Sequence, residues 1–323
     1  MMARRTYWHL EASKRVPTPY ELGTSRLLYY GERGFEVETP VADWYRRHQK
    51  AAPLAWASLE RFRDPRETTY SKYVALAHER EAFVDGLLRS ADDSGHDAQL
   101  GSEWLGGLEK WLPVLLYPCH GLQMVTAYVG QLAPTSELVV AFAFQAGDDM
   151  RRIQRFAYRV KQLERLSPGF ARGKERWQSA PEWQPLRRVI EELLVTYDLG
   201  EALVALTLVV RPWFDAFFVQ HGSRVAEAAG DPLLSRLLFS LHEDCRWHQA
   251  LSHELWRVLL DGSPTGRDFV SRVVAQRNAV TRRAFEALEP IWDARLEPLA
   301  LVLAAIDDDL GERRRQLGLG GSS

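Results

Sequence analysis

DDMRR at 148–152 and DCRWH at 244–248 can be laid over one another, and their reading decides the fold. Each can be laid over the frame D-E-x-R-H, in which a helix offers a Glu and, three residues on, a His to a pair of iron ions. The i, i+3 spacing puts both side chains on one helix face. Here the first stretch has Asp149 at the Glu position and Arg152 at the His position. The second has Cys245 at the Glu position and keeps His248.

Working outward, helical patterns dominate. The stretch from Asp64 offers Asp64 as N-cap, Pro65 at the first helical position and Glu67 at the third. Apolar residues then recur at Tyr70, Tyr73, Val74, Ala77, Val84, Leu87 and Leu88, one stripe of an amphipathic helix. SADDSGHD at 90–97 breaks it, and Pro113 and Pro118 kink or split the next helix. A longer helix starts at Ser136 and carries the first pentapeptide. Ser179 with Glu182 opens another, and a long apolar helix follows from Asp198, bent at Pro212. Asp231-Pro232 starts the helix that carries the second pentapeptide, stopped by Gly262. Two more are expected at 267–288 and 291–314, then a Gly/Ser tail. No stretch after residue 60 alternates with period two, so the expectation is an all-α helical bundle.

The first sixty residues read differently. Three Pro, three Gly and many aromatics between Arg15 and Tyr45 show no sustained period. The chain divides into an extended partner-binding arm at 1–60, a bundle at 61–290, and a C-terminal helix and tail at 291–323. An aromatic arm needs a surface to lie on, and Tyr29, Tyr30, Phe35, Trp44 and Tyr45 are its candidate partner contacts.

Composition narrows the function classes. The 323 residues include 41 basic and 43 acidic side chains, a net charge of −2, which gives no electrostatic case for nucleic acid or an anionic membrane. The longest apolar run, Ala202 to Val210, is far shorter than a bilayer span. The N-terminal MMARRTYWHLEASKR lacks the apolar core of a secretory signal. Two cysteines, Cys119 and Cys245, argue for a reducing, cytoplasmic setting. Eleven Trp fit either a large core or a partner surface.

A di-iron site in a four-helix bundle needs one Glu from each of two helices and a Glu-x-x-His from each of the other two. Arginine cannot lend a lone pair to iron, so Arg152 excludes the first His position. No Asp or Glu occurs between Trp111 and Ser136. Between Ala202 and Phe214 the single ionisable side chain is Arg211, flanked by Glu201 and Asp215. Asp149 and His248 are what remains of six ligands. Three readings of the pentapeptides stand side by side: a solvated helix face, a mononuclear site of Cys119, Asp149, Cys245 and His248, or an interior ion-pair network. In the network, Arg152 with Arg211 replaces the metal's charge, and Asp148, Asp149 and Asp244 pair with guanidinium.

The chain resembles the β subunit of the hydroxylase component of bacterial multicomponent di-iron monooxygenases, in the toluene and related aromatic or alkene branch. The resemblance rests on RTYWHL (5–10), LLYYGERGFEVETPVADWY (27–45), RFRDPRETTYSKYVALAHEREAFVDGLL (61–88), GLQMVTAYVGQLAP (121–134), QAGDDMRRIQRFAYR (145–159) and DLGEALVALTLVVRP (198–212). It implies a ferritin-like bundle without metal ligands, no cofactor on this chain, and di-iron on a catalytic α subunit. It also implies a small γ subunit, a dimer of protomers, an effector protein and a reductase or ferredoxin. The degenerate positions Asp148, Asp149, Arg152, Arg211, Asp244, Cys245 and His248 would then be structural. The rival function is a stand-alone metal enzyme using the Cys/Asp/His set.

Overall fold

A computed structural model describes residues 16–25, 39–292 and 297–319. Two short helices come first, α1 (Pro19–Ser25) and α2 (Pro40–His48), followed by a 3-10 turn at Trp56–Arg61. The remaining helices are α3 (Tyr70–Asp93), α4 (Ser102–Trp111), α5 (Leu116–Leu132), α6 (Ser136–Leu163), α7 (Gly173–Ser179) and α8 (Gln184–Leu194). Then follow α9 (Leu199–Ala228), α10 (Pro232–Leu259), α11 (Pro264–Glu286) and α12 (Leu299–Gln316). No strand occurs among the described residues.

Three expected helix starts are corrected. Asp64 does not cap a helix. Its carboxylate instead accepts the backbone N–H groups of Arg66 (2.9 Å) and Thr68 (2.8 Å) and the indole N–H of Trp247 (3.2 Å). Glu67 takes a left-handed φ of 45°, which no helix accommodates, and α3 begins only at Tyr70 with Thr69 as cap. Ser179 closes α7 rather than opening the next helix, because Pro181 starts a separate 3-10 turn. By contrast Asp231 does cap α10, accepting from Leu234 N at 2.9 Å. The last helix starts at Leu299, later than the pattern at 291 implies.

Four helices enclose the interior: α5 against α6, with α9 and α10 completing the set. Close approach of α5 and α6 uses Gly130, where an added Cβ would stand 3.0 Å from the Phe142 side chain. Helix α9 is the central element. From Leu199 to Gly222 every residue but Glu201 and Gln220 is buried, and two π-helical segments, Ala205–Val210 and Asp215–His221, flank the α-helical turn Arg211–Phe214. Pro212, which has no N–H to give, sits in that middle turn. By length and composition α9 could cross a membrane, yet its apolar window is wholly buried within the protein. The apolar run read from sequence stops at Arg211, but the helix runs on beyond it.

Tryptophan builds the interior. Trp183, Trp213 and Trp256 are fully buried, and their indole N–H groups reach Lys110 O, Asn278 Oδ1 and Thr207 Oγ1 at 3.2, 2.8 and 2.8 Å. Helix α12 buries Val302, Leu303, Ile306 and Leu310 against the bundle.

Candidate functional site

The two pentapeptides face the same interior from α6 and α10. Asp148, Asp149, Arg152, Arg211, Asp244, Cys245 and His248 are all buried, at 0–4% exposure, so the solvated-face reading fails. Each helix contributes at the spacing that its period dictates, and Arg211 and Asp215 stand one turn apart in the middle of α9, where its two π segments approach each other.

Arg211 grips Asp149 with both terminal nitrogens, Nη1 to Oδ1 at 2.6 Å and Nη2 to Oδ2 at 2.7 Å. Its Nη2 also donates to Thr126 Oγ1 at 2.5 Å, and that hydroxyl lies 3.0 Å from Asp149 Oδ2. Arg152 turns the other way. It donates to Asp215 Oδ1 at 2.7 Å and to the Cys245 sulfur at 3.0 Å, while the Cys245 thiol points to Leu241 O at 3.3 Å. Two guanidiniums thus meet two carboxylates in a buried interior.

Burial alone would raise the Asp149 carboxyl, but the charge and hydrogen bonds of Arg211, with Arg152 and His248 behind, hold it below the usual range. Burial opposes the charge on Arg152 and on Arg211. For Arg152, Asp215, Cys245 and Asp149 overcome it; for Arg211, Asp149 does, and both guanidiniums are held above their ordinary value. Burial, then the Asp215 charge, pushes the Cys245 thiol well up, and burial pushes Cys119 up to about 12. Both sulfurs remain thiols.

The expected pairings are partly corrected. Asp148 does not meet a guanidinium: its Oδ2 pairs with His248 Nε2 at 3.0 Å. Asp244 pairs with Arg80 and, at 2.7 Å, with Arg151 Nη1. Burial and the Asp148 charge still raise its carboxyl. Arg151 also holds Ser240 Oγ at 2.8 Å and Glu81 at 2.6 Å. Sequence reasoning misses Thr126, Arg151 and Glu81, and leaves Asp215 as a flanking residue. Arg151 lies inside the quoted pentapeptide; Thr126 gives no signal at all.

Iron does not fit here. Both oxygens of Asp149 are taken by Arg211, and a guanidinium stands at the first His position. The mononuclear alternative is also corrected: Cys119, Asp149, Cys245 and His248 do not converge, because Asp149 turns to Arg211, Cys245 to Arg152 and His248 to Asp148. Among the described residues no three His, Cys, Asp or Glu side chains gather as a metal-ligand group.

Of the arm residues, Tyr29, Tyr30 and Phe35 lie outside the described residues. Trp44 and Tyr45 use their polar atoms on the chain's own bundle, Trp44 Nε1 donating to the Tyr128 hydroxyl (3.1 Å) and the Tyr45 hydroxyl to Gln131 O (2.7 Å). Trp44 stays 37% exposed and forms a surface ring cluster with His48 and Tyr197, at centroid distances of 4.4 and 4.9 Å.

Comparison with known proteins places this geometry. The hydroxylase component β subunit of the toluene-4-monooxygenase system of Ectopseudomonas mendocina is 29% identical over 292 residues, covering 88% of this chain and 89% of that one. The hydroxylase component small subunit of propane 2-monooxygenase of Gordonia sp. (strain TY-5) is 26% identical, covering 80% of this chain and 78% of its own. A chain in the structure of toluene 4-monooxygenase with toluene in its resting active site superposes with a TM-score of 0.83 at 28% identity, over 89% of this chain and 97% of that one. A chain of xenon-pressurised phenol hydroxylase from Pseudomonas sp. OX1 shares the fold, with a TM-score of 0.85 at 16% identity over 98% and 96%. Residues 44–262, containing both pentapeptides, match the methane/phenol/alkene hydroxylase family, and the chain belongs to it.

Proposed function

We infer that this chain is the β subunit of the hydroxylase component of a multicomponent monooxygenase, an oxidoreductase assembly, and that it serves as a non-catalytic scaffold. The observation that carries the scaffold role is the Arg211–Asp149 clamp beside Arg152–Asp215, which fills the ligand positions with compensated charge. Similarity over most of both chains to the β subunit of a toluene-4-monooxygenase hydroxylase and the small subunit of a propane 2-monooxygenase hydroxylase supports the assembly. In this proposal the di-iron centre sits on a catalytic α subunit in the cytoplasm, and a hydrocarbon is hydroxylated or epoxidised there with O2. A γ subunit, an effector protein and a reductase or ferredoxin complete the system.

The chain's work is then to hold α. The ring cluster of Trp44, His48 and Tyr197, with exposed Val41 and Val195 nearby in sequence, supplies an apolar surface for that contact. An obligate interface of this kind buries more than ~2,000 Å² and keeps the partner's ligands preorganised. Co-expression with α tests it. The complex should carry about two irons per αβ pair, as one ferritin-like site holds, and none should remain on β when α is omitted. Tyr197→Asp should lower co-purification of α by roughly tenfold or more, while β keeps its helical spectrum. Stoichiometric iron or zinc on isolated β would overturn the scaffold reading.

A further inference from the structure

A second cluster of arginines stands outside the buried ion-pair network, although one member, Arg246, belongs to the second pentapeptide. Helices α9, α10 and α12 enclose a pocket of about 300 Å³. Arg246 of α10 and Arg313 and Arg314 of α12 line it, with His253 at its edge, and among the described residues no Asp or Glu faces in. Its apolar wall is Leu208, Pro212 and Leu310.

Arg314 is the distinctive member. It is 8% exposed, yet its hydrogen bonds go to uncharged acceptors: Nε and Nη2 to Leu208 O at 3.2 and 2.8 Å, and Nη2 to Asn278 Oδ1 at 2.9 Å. Its Nη1 bonds to no described residue. Arg152 and Arg211, by comparison, each meet a carboxylate. Among the described residues no carboxylate touches Arg314; the nearby Asp307 charge offsets its burial only in part, and the guanidinium is lowered to about 10. Arg313 and Arg246 each commit one nitrogen to a partly exposed neighbour, Asp309 at 2.9 Å and Glu243 at 3.1 Å, leaving further N–H groups for a ligand. The volume matches the small end of ligand pockets.

We propose that this pocket binds a small organic monocarboxylate, with its charge on Arg314 and Arg313 and its hydrocarbon part against Leu208, Pro212 and Leu310. Planar carboxylate suits the guanidinium fork, and the apolar wall selects an acid with a short aliphatic or aromatic stem over an inorganic anion.

Equilibrium dialysis of radiolabelled benzoate against the full-length protein, purified with whatever partners it carries, tests this. Saturable binding at one site per chain is expected, with benzamide at least about tenfold weaker because it lacks the charge. Arg314→Gln should abolish binding, but this side chain also ties down Leu208 O and the variant can unfold. Arg313→Gln and Arg246→Gln avoid that risk, since their side chains are 40% and 64% exposed. Arg313→Gln should weaken benzoate about tenfold and Arg246→Gln about threefold, with unchanged circular dichroism. Equal affinity for benzamide, benzoate affinity untouched by Arg313→Gln, or no saturable binding up to ~50 mM would each overturn the proposal.

Discussion

The two pentapeptides solve one problem from opposite sides. Set against the D-E-x-R-H frame, α6 offers a carboxylate and a guanidinium, Asp149 and Arg152, where α10 offers a thiol and an imidazole, Cys245 and His248. The α6 side therefore brings charge inward, whereas the α10 side accepts it. Cys245 receives a hydrogen bond from Arg152 without adding a charge, and His248 is turned aside to Asp148. Each buried cation comes with its own anion: Arg152 pairs with Asp215, and Arg211 with Asp149, so the charge is neutralised locally.

The comparison breaks most visibly on the α6 side. Arg211→Ala leaves Asp149 buried without its clamp and should cost about 3–5 kcal/mol, a fall of roughly 10 °C in Tm for a chain of this size. Arg211→Lys should recover part of this, because a lysine lacks the planar fork. An unchanged Tm by calorimetry would mean that the guanidinium reaches water.

Next comes Asp149→Asn, expected to cost about 2 kcal/mol at neutral pH. Because the folded carboxyl is held below its ordinary 3.8, its stabilisation is present above that pH and is lost as pH falls through the lowered value. Denaturation curves of wild type and variant should keep a constant gap above pH 3.8 and converge below it. Asp244 should behave oppositely. Its carboxyl is raised, so the folded state takes up a proton before the unfolded one does, and this group's contribution grows as pH falls from the raised value toward 3.8. Asp244→Asn should remove that growth.

On the α10 side effects should be smaller. Cys245→Ser keeps a donor to Leu241 O and an acceptor for Arg152, so about 1 kcal/mol is expected by urea denaturation. Smallest of all, a thiol reagent should label neither Cys119 nor Cys245 in the native protein, since both are buried and burial holds both thiols protonated. Denaturant should expose both. Rapid native labelling of Cys245 would instead show a thiolate beside Arg152.

Much of the helical order is legible because it follows from local chemistry. Asp231-Pro232 is read correctly from capping alone, whereas of the apolar stripe read on α3 only Val84 and Leu88 are buried, and Tyr70 and Val74 stay 75% and 45% exposed. Asp64-Pro65 misleads because an Asp side chain caps an open turn as readily as a helix, and what tips the balance is Trp247, distant in sequence. In the site, Arg152 and Arg211 announce themselves as charges in apolar helix. Their partners do not. Which carboxylate meets which guanidinium depends on the angular phase of α9, and two π segments reset that phase in a way no 3.6-residue period reveals. Thr126 is hidden for another reason: a hydroxyl in a helix is ordinary until a guanidinium is found 2.5 Å away.

Helix α9 also has a life before the fold exists. Its 30 residues leave the ribosome as a segment long and apolar enough to be taken for a membrane span. Arg211 and Asp215 lie within that segment, and each costs about 2.5–3.5 kcal/mol at the centre of an inserting helix. The residues that balance each other's neighbours in the finished bundle thus also bias the nascent chain away from lipid, toward water and its own partner helices.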